Sequence, residues 1–577
     1  MKKIIASICF LIIILFSKAQ TPTFEWAKKM SGTDSDYGRS VAVDTFGNVY
    51  TTGWFRGTVD FNPGAGVYNL TSTASAADDV FISKLDASGN FVWAKHIKGP
   101  DPAAVSNAYN IKLDQNGNVY VTGFFNGTLD FDPGPGVYNV TSACDSTSET
   151  ATFLLKLDSF GNFIWVKQLT GFSYTLCFTI DKYDNIYLSG EFLSAVDFDT
   201  GAGIFNLTPV GNEDIFIAKF DVSGNFIWVK QIGGSMPEFT HAIEVDKWCN
   251  VYITGGYSGT VDFDPGVGVY NLTSGTFNTD ICIAKLDSLG NFVWAKQIGN
   301  SSNIVDVGHA IEVDALNNVY VTGQFRGTVD FNPDTLGTFN LTSIGSGDAF
   351  VLKLNTSGNF IWAKMIGEAL DDEGFGIAVD QNGNVYTTGW FRGTVDFNPD
   401  GGVFNLTSAG IEDVFVLKLD NSGNFVWALK MGGTLSDKVF AIALDASDNI
   451  YTTGWFEGTS DFDPGVGVLN LTSAGMSDIF VHKISQNIST YVLAENINFR
   501  NATIYPNPSN GLFNICTSEQ IKNGSIEIYN SMGELIYLKE TSDQQNLIDL
   551  KDHVNGLYFV KVIRDGEVIG MEKIVKH

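Results

Sequence analysis

The feature that most constrains this fold is a phrase of about 66 residues that recurs seven times along the chain. Its marker, N-V-Y-T-T-G-W-F in varied form, places a tyrosine at positions 50, 120, 187, 252, 320, 386 and 451. Each marker is followed by V-D-F-N/D-P-G, then by an apolar segment and a Trp-bearing segment such as Asn90–Lys95. A fixed period of this kind indicates a repeat architecture, in which units stack to bury their apolar side chains.

Each repeat contains four short segments that suit β-strands. In the first repeat they are Val41–Asp44, Val49–Phe55, Val80–Asp86 and Phe91–Ile97, all rich in β-branched and aromatic residues and without helical periodicity. The connections read D-x-x-G-N, which favours tight hairpins because Asp begins turns and Gly accepts a positive φ. Four strands per repeat predict an all-β fold of the β-propeller type.

The two ends of the repeat region indicate how the ring would close. The seventh repeat stops at about Ile484 and lacks a Trp-bearing segment, whereas a surplus segment, Phe24–Lys28, precedes the first repeat. We expect the surplus segment to complete the seventh blade, because an open stack would leave an unpaired edge strand. The sequence therefore predicts a seven-bladed propeller over residues 20–486, closed by an N-terminal strand.

The repeat frame is similar to a known family. G-N-V-Y-x-T-G, followed by D-x-F-V-x-K-L-D-x-S-G-N-F-x-W-A-K, resembles the SBBP-type β-propeller repeats of secreted bacterial proteins. The resemblance implies the fold but little about activity, because propellers support many functions. An insert of about 20 residues per repeat, such as Gly57–Asp78, contains a Pro-Gly turn between two short alternating runs. It is expected to form an extra hairpin.

The N-terminus has the composition of an export signal. Met1–Lys3 is positively charged, Ile4–Phe16 is apolar, and Ser17–Ala19 ends in a small residue. This order predicts a secretory signal peptide over residues 1–19. An N-terminal membrane anchor is the less favoured alternative, because a spanning helix needs about 20 apolar residues. No later segment approaches that length, so we expect no transmembrane segment in the mature chain.

The C-terminal region differs from the repeats. After a predicted linker at 487–500, residues 501–577 open with Y-P-N-P-S-N-G and continue as alternating strands, which suggests a small C-terminal β-sandwich. The opening, together with the G-L-Y-F-V-K-V and E-K-I-V-K ending, resembles the type A sorting domain of the type IX secretion system of Bacteroidetes-type bacteria. The resemblance implies that residues 501–577 engage that secretion machinery and are cleaved, and that the protein is secreted or lies on the outer cell surface. An ordinary adhesion sandwich is the alternative.

Charge narrows the set of partners. The chain has 64 acidic and 35 basic residues, a formal net charge of −29. Such a surface repels nucleic acid and anionic membranes, so we expect no nucleic-acid partner. Five cysteines remain after the signal, an odd number without C-x-x-C spacing, which gives little support to a disulfide framework or a zinc site.

Signatures of catalysis and metal binding are weak. The sequence has no HExxH and no G-x-S-x-G. His241 and His309 share the phrase H-A-I-E-V-D with Glu244 and Glu312, which would suit a metal or proton-transfer site but is better explained by duplication. The repeated D-F-N/D-P-G resembles the start of a calcium loop, yet lacks a third carboxylate, so turn capping is preferred. We therefore expect no catalytic residue, metal site or cofactor, with calcium as the alternative.

Ligand binding is expected where the repeats differ. The residue before the recurring Phe/Tyr of the second strand is Trp in three repeats that neighbour one another in a closed ring: Trp390, Trp455 and Trp54. Arg56 and Arg392 lie two residues beyond two of them. This arc is predicted to stack on sugar rings or to hold an acidic polymer. Packing of the tryptophans under the inserted hairpins is the alternative.

The first strands vary in a second way. Their inward positions are polar only in repeats two to five, within the series Ala42, Lys112, Thr179, Glu244, Glu312, Ala378 and Ala443. A catalytic propeller would need such a polar cluster, and this one is modest. The sequence thus favours a non-enzymatic binding or scaffold module for a glycan or surface protein. An extracellular polysaccharide hydrolase or lyase, and a purely structural spacer, remain alternatives.

Overall fold

The computed structural model describes residues 22–486 except 75–76, 102, 144–148, 276–277, 300–303 and 335–336, and residues 502–576 except 518–523, 531–534 and 565–566. All regular structure in these residues is β-strand. They fall into two compact units, 1–487 and 488–577. The predicted signal peptide at 1–19 and the predicted linker at 487–500 lie outside the described residues. No helix in the described part of the chain is long and apolar enough to cross a membrane.

The strands of the first unit follow one another at the spacing of the repeats. In chain order they are β1 (Thr23–Gly32), β2 (Tyr37–Val43), β3 (Val49–Phe55), β4 (Thr58–Asp60), β5 (Asn69–Thr71), β6 (Asp79–Leu85), β7 (Phe91–Ile97), β8 (Ser106–Leu113), β9 (Val119–Phe125), β10 (Thr128–Asp130), β11 (Asn139–Thr141), β12 (Ala151–Leu157), β13 (Phe163–Gln168), β14 (Ser173–Ile180), β15 (Ile186–Phe192), β16 (Val196–Asp197), β17 (Asn206–Leu207), β18 (Asp214–Phe220), β19 (Phe226–Gly234), β20 (Glu238–Val245), β21 (Val251–Tyr257), β22 (Thr260–Asp262), β23 (Asn271–Thr273), β24 (Asp280–Leu286), β25 (Phe292–Ile298), β26 (Val307–Val313), β27 (Val319–Phe325), β28 (Thr328–Asp330), β29 (Asn340–Thr342), β30 (Asp348–Leu354), β31 (Phe360–Ile366), β32 (Glu373–Val379), β33 (Val385–Phe391), β34 (Thr394–Asp396), β35 (Asn405–Thr407), β36 (Asp413–Leu419), β37 (Phe425–Gly433), β38 (Asp437–Leu444), β39 (Ile450–Asp461) and β40 (Asn470–Ser485).

The main strands of each repeat pair into an antiparallel sheet whose spatial order follows the chain. The sheets are β2-β3-β6-β7, β8-β9-β12-β13, β14-β15-β18-β19, β20-β21-β24-β25, β26-β27-β30-β31 and β32-β33-β36-β37, with β38, β39 and β40 in the last repeat. The first strand of each sheet contacts the first strand of the next, and β38 also contacts β2. Alternating apolar residues from neighbouring sheets fill the spaces between them.

The surplus N-terminal strand pairs with the last repeat. β1 runs antiparallel to β40, with Trp26 opposite Lys483 and Met30 opposite Ile479. The same register recurs in the first repeat, where Trp93 lies opposite Lys84. β1 thus holds in the last sheet the place that β7 holds in the first.

The insert of each repeat is a short hairpin. In the first repeat β4 and β5 pair, and β4 also pairs with the end of β1 through Gly32 and Val59. The hairpin therefore extends the outer strand of the preceding sheet and bridges two sheets. In its turn, Asp60 Oδ1 accepts the backbone N–H groups of Asn62 and Tyr68 at 3.0 and 2.8 Å. This carboxylate caps its own turn, which is the interpretation that the sequence favoured over calcium.

A recurring group of side chains packs together at the end of each sheet that lies opposite the inserted hairpin. In the first repeat the Lys84 ammonium lies 4.7 Å from the ring centroid of Tyr50, and the Tyr50 hydroxyl donates to Asp44 Oδ2 at 3.2 Å. Trp93 packs edge-on against the same tyrosine. Because this group recurs, we assign it a structural role.

The second unit contains two sheets over one apolar core. Its strands are β41 (Ala502–Tyr505), β42 (Leu512–Thr517), β43 (Gly524–Asn530), β44 (Leu535–Thr541), β45 (Gln545–Asp549), β46 (Gly556–Arg564) and β47 (Glu567–Lys576). They form the sheets β41-β42-β45 and β44-β43-β46-β47. Phe513 and Ile548 from one sheet, with Ile526 and Val560 from the other, belong to the same buried cluster.

Candidate functional site

Each first strand carries a β-bulge at the same position. In β2 the register shifts between Gly38 and Ser40, which leaves Arg39 without an opposite residue on β3. A bulge turns its extra residue away from the regular pleat and is common next to binding sites. The bulged residues of the seven repeats are Arg39, Tyr109, Leu176, His241, His309, Phe375 and Phe440.

The bulged residues line a cavity of about 290 Å³ that touches the first strands of all seven repeats. We call it the axial cavity. Along one wall, Glu244 receives a hydrogen bond from the Thr179 hydroxyl at 2.9 Å and lies 3.7 Å from the Lys112 ammonium. Glu312 lines the same wall. The polar positions that the sequence identified in repeats two to five therefore do come together around Glu244.

Burial sets the protonation of this wall. Burial, and then the nearby Glu244 carboxylate, raise the pKa of Glu312, while Lys112 acts in the opposite direction. Burial, followed by His309 and Arg39, lowers the pKa of His241 to about 3. Glu312 therefore tends to hold its proton, and the His241 imidazole is neutral at physiological pH.

The two histidines noted in the sequence lie side by side. His241 Nδ1 and His309 Nδ1 are 3.0 Å apart, and His309 Nε2 is 2.7 Å from Glu373 Oε1. Their rings are nearly parallel, with centroids 5.0 Å apart. Within the described residues, no group of three or more His, Cys, Asp or Glu side chains is placed to hold a metal ion. The histidines instead form a hydrogen-bonded row beside the axial cavity.

A continuous row of aromatic rings lies at the end of the sheets opposite the D-x-x-G-N turns. Neighbouring ring centroids are 5.2 to 5.7 Å apart along the row. All its members are partly exposed. We call this row the aromatic belt; it consists, in order, of Trp455, Tyr37, Trp54, Tyr109, Phe124, Tyr174 and Phe172.

Of the three predicted tryptophans, Trp54 and Trp455 belong to the aromatic belt, joined through Tyr37. Trp390 does not have their environment. It is only 6% exposed, with the Lys438 ammonium 4.2 Å and the Arg392 guanidinium 5.3 Å from its ring centroid. Its ring is therefore covered by two cations, and the aromatic surface extends toward repeats two and three instead.

The two predicted arginines are held by carboxylates. Arg56 donates to both oxygens of Asp78, and Arg392 donates to Glu412 and lies 3.9 Å from Asp371. The hydrogen bond to Asp78 is the main cause that raises the pKa of Arg56. These pairs hold both guanidinium groups in place, and that of Arg392 lies over Trp390, outside the belt.

Tyr37, Tyr109, Tyr174 and Arg39 were not among the site residues predicted from the sequence. A signal for them exists, since each occupies a place in the first strand that varies among repeats while its neighbours remain small or β-branched. That variation lies three or five residues upstream of the inward positions that were compared, and so it was missed.

Family comparisons agree with this architecture. The secretion system C-terminal sorting domain family matches residues 503–577, and the SBBP β-propeller repeat family matches residues 25–54 and 361–390. The chain carries propeller repeats and a secretion sorting domain. The sorting domain indicates that the protein is secreted or lies on the cell surface.

Individual relatives are distant. The chain is 26% identical over 509 residues to an uncharacterised WD repeat-containing protein of Acanthamoeba polyphaga mimivirus. The alignment covers 75% of this chain and 36% of that relative. The chain spans about a third or less of the curated relatives it matches. A protein of unknown function from Bacteroides caccae overlays at 9% identity with a TM-score of 0.30, over 61% of this chain and 89% of that one. A gluconolactonase from Xanthomonas campestris overlays at 10% identity with a TM-score of 0.28, over 64% and 91%.

Proposed function

We propose that the repeats form a closed, seven-bladed propeller that acts as a non-enzymatic binding module for carbohydrate at the cell surface. The closed ring is supported by the pairing of β1 with β40 and by the contact between β38 and β2. The binding role is supported above all by the aromatic belt, whose rings are contiguous and partly exposed.

The chemistry of the belt suits sugars better than a purely apolar partner. Aromatic side chains offer flat faces for the C–H surfaces of a sugar ring, and Tyr and Trp keep a polar tip for its hydroxyl groups. Arg56 follows Trp54 by two residues and pairs with Asp78, so this part of the chain also carries charged donors and acceptors. A few polar groups that converge on an apolar platform are typical of ligand sites.

A screen of polysaccharides and glycans tests this proposal. We expect the full-length protein to bind at least one of them, and the double variant Trp54→Ala/Trp455→Ala to bind about 100-fold more weakly or worse. Each central aromatic side chain contributes roughly 2 kcal/mol to binding, so two additive losses would approach roughly 700-fold, and about 100-fold is the lower bound for partly additive losses. Binding is measured on a glycan array and then by isothermal titration calorimetry.

Trp248→Ala provides the matched control, because Trp248 is 58% exposed and lies in a D-x-x-x-N turn away from the belt. We expect this variant to bind as the unmodified protein does. Equal loss in Trp248→Ala and in the double variant would reject the belt as the site. Retained binding in the double variant would reject it as well.

A polysaccharide hydrolase or lyase is the second candidate, favoured by the carboxylates of the axial cavity. Two carboxyl groups that face one site are the usual arrangement of acid and base catalysts in glycoside hydrolysis. However, Glu244 is already engaged by Thr179 and Lys112. If the protein is not an enzyme, reducing-end assays on every polysaccharide that it binds will show no release. Release that disappears in Glu312→Gln and persists in Trp248→Ala would establish the enzyme instead.

A further inference from the structure

Arg39 has an unusual environment for a cation. Its guanidinium carbon lies 4.0 Å from the ring centroid of Phe440, 4.8 Å from that of Tyr109 and 5.2 Å from that of Trp54. Aromatic faces attract a cation and hold the planar guanidinium in one orientation. The side chain is thus positioned by rings and not by charge.

Arg39 also has no carboxylate partner. Among the described residues, none of its five N–H groups donates a hydrogen bond and no acidic side chain forms an ion pair with it, unlike Arg56 and Arg392. Burial lowers the pKa of Arg39, although an arginine remains charged. Arg39 is only half-buried and its unpaired N–H groups keep some exposure, so a complementary anion can reach them. The chain has a formal net charge of −29, so it has many carboxylates that could pair with an arginine, yet none of those described pairs with Arg39.

The space next to Arg39 has the size of a small molecule. Arg39 lines the axial cavity of about 290 Å³ together with Lys112, Glu244 and Glu312. This volume lies at the lower end of the range for ligand pockets. Lys112 is already balanced by Glu244 at 3.7 Å. Arg39 is therefore the cation of this cavity that retains free donors.

We propose that the axial cavity is a binding site for a small organic acid, whose carboxylate is held by the guanidinium of Arg39. Two parallel N–H groups of a guanidinium match the two oxygens of a carboxylate, and this bidentate pair is among the strongest polar contacts in proteins. The polar wall of Glu244, Thr179 and Lys112 receives the hydroxyl groups of the acid. A monosaccharide uronic acid has this combination of one carboxylate, several hydroxyls and a suitable size.

Matched ligands test the charge requirement. Glucuronate and glucose differ in the carboxylate, and sodium sulfate supplies an oxyanion without an organic part. We expect isothermal titration calorimetry with the full-length protein to detect glucuronate and to give at least tenfold weaker binding for glucose and for sulfate. Equal binding of sulfate would identify a bare oxyanion site and overturn the organic-acid assignment, and no binding of glucuronate at 50 mM would overturn the site.

Matched variants test the assignment to Arg39. Arg39→Gln should weaken glucuronate binding about 10- to 100-fold, since a charged hydrogen-bonded partner is lost. Arg39→Lys keeps the charge without the planar guanidinium, so its glucuronate affinity should lie between those of the unmodified protein and Arg39→Gln. Lys112→Gln removes the other cation of the cavity, which lies on the wall that receives the hydroxyl groups, and should weaken glucuronate binding clearly less than Arg39→Gln does. Loss in Lys112→Gln with retention in Arg39→Gln would contradict the proposal.

This site adjoins the polysaccharide site, because the rings of Trp54 and Tyr109 belong to the belt and also flank Arg39. Trp455 belongs to the belt but has no contact with Arg39 in the described structure, so Trp455→Ala should weaken polysaccharide binding and leave glucuronate binding unchanged. Arg39→Gln should weaken glucuronate binding more than polysaccharide binding, because Arg39 touches only two rings of the belt. Thermal unfolding of Arg39→Gln and Arg39→Lys verifies that each variant is folded, and a folded Arg39→Gln with unchanged glucuronate affinity would refute the assignment.

Discussion

Met30→Ala is expected to destabilise the first unit by about 2 to 5 kcal/mol, the usual cost of truncating a fully buried methionine. Met30 is fully buried in β1 although it lies only 30 residues from the start of the chain. In a closed ring, β1 is the outer strand of the last blade, and its core residue is as important as that of any other blade. The change is measured by urea unfolding monitored through tryptophan fluorescence.

Met431→Ala is the matched control for this prediction. Met431 occupies in β37 the place of Met30 in β1, opposite Val414 where Met30 lies opposite Ile479. Both side chains are buried in equivalent apolar clusters. We expect equal losses in the two variants. A large loss in Met431→Ala with none in Met30→Ala would mean that β1 is a dispensable tail and that the ring is not closed by it.

The free energy of unfolding is expected to fall as the pH rises from about 4 to about 8. Five fully buried carboxyl groups stand three residues before the bulge in their repeats. Burial, the largest cause in each case, raises the pKa to about 8 for Asp36 and Glu238 and to about 7 for Asp306, Asp372 and Asp437. The unfolded carboxyl loses its proton near pH 4 and the folded one near pH 7 to 8. The folded state therefore binds more protons between these values, and stability declines with increasing pH.

The size of this effect is large. A pKa difference of about three units between the folded and unfolded states of one carboxyl group corresponds to roughly 4 kcal/mol in the free energy of unfolding. Asp306 illustrates the cause, because its Oδ1 accepts the Arg326 backbone N–H at 2.8 Å while Oδ2 is buried without a partner. Urea unfolding at pH 5, 7 and 9 measures the decline. Equal stability at the three pH values would contradict the prediction.

Asp306→Asn tests the source of the pH dependence. The amide cannot ionise, so the difference in stability between pH 5 and pH 9 should shrink by a few kcal/mol. Asp181→Asn is the control. Burial raises the pKa of Asp181, but hydrogen bonds from Asn185 and Tyr183 outweigh it and the net shift is downward. Its stabilisation is present throughout pH 5 to 9 and is lost only at lower pH, so this variant should be less stable without a change in pH dependence.

The regular parts of the fold could be predicted because they are local. D-x-x-G-N encodes its turn directly: the Asp44 carboxylate accepts the backbone N–H groups of Phe46 and Asn48, and Gly47 has a φ of 79°. The surplus strand at Trp26 was predictable by counting segments, since a missing strand and a spare strand are both visible in the sequence. Its register with Lys483 then follows from the other repeats.

The candidate site could be predicted only in part. Trp54 and Trp455 were found because they vary among equivalent positions. The cover on Trp390 was not predictable, because Lys438 lies 48 residues away and reaches the ring only after two sheets pack together. The bulge at Arg39 depends on a shift of hydrogen-bond register, and the sequence contains no direct signal for such a shift.

The most direct test is a crystal structure of the full-length protein with the oligosaccharide that binds most tightly in the screen. We expect seven four-stranded sheets around one axis, with β1 in the last, and a sugar ring stacked on the belt at Tyr37, Trp54 or Trp455. A ring of six or eight sheets, or a sugar bound at the turn that contains Trp248, would contradict the proposed closed ring and its binding site.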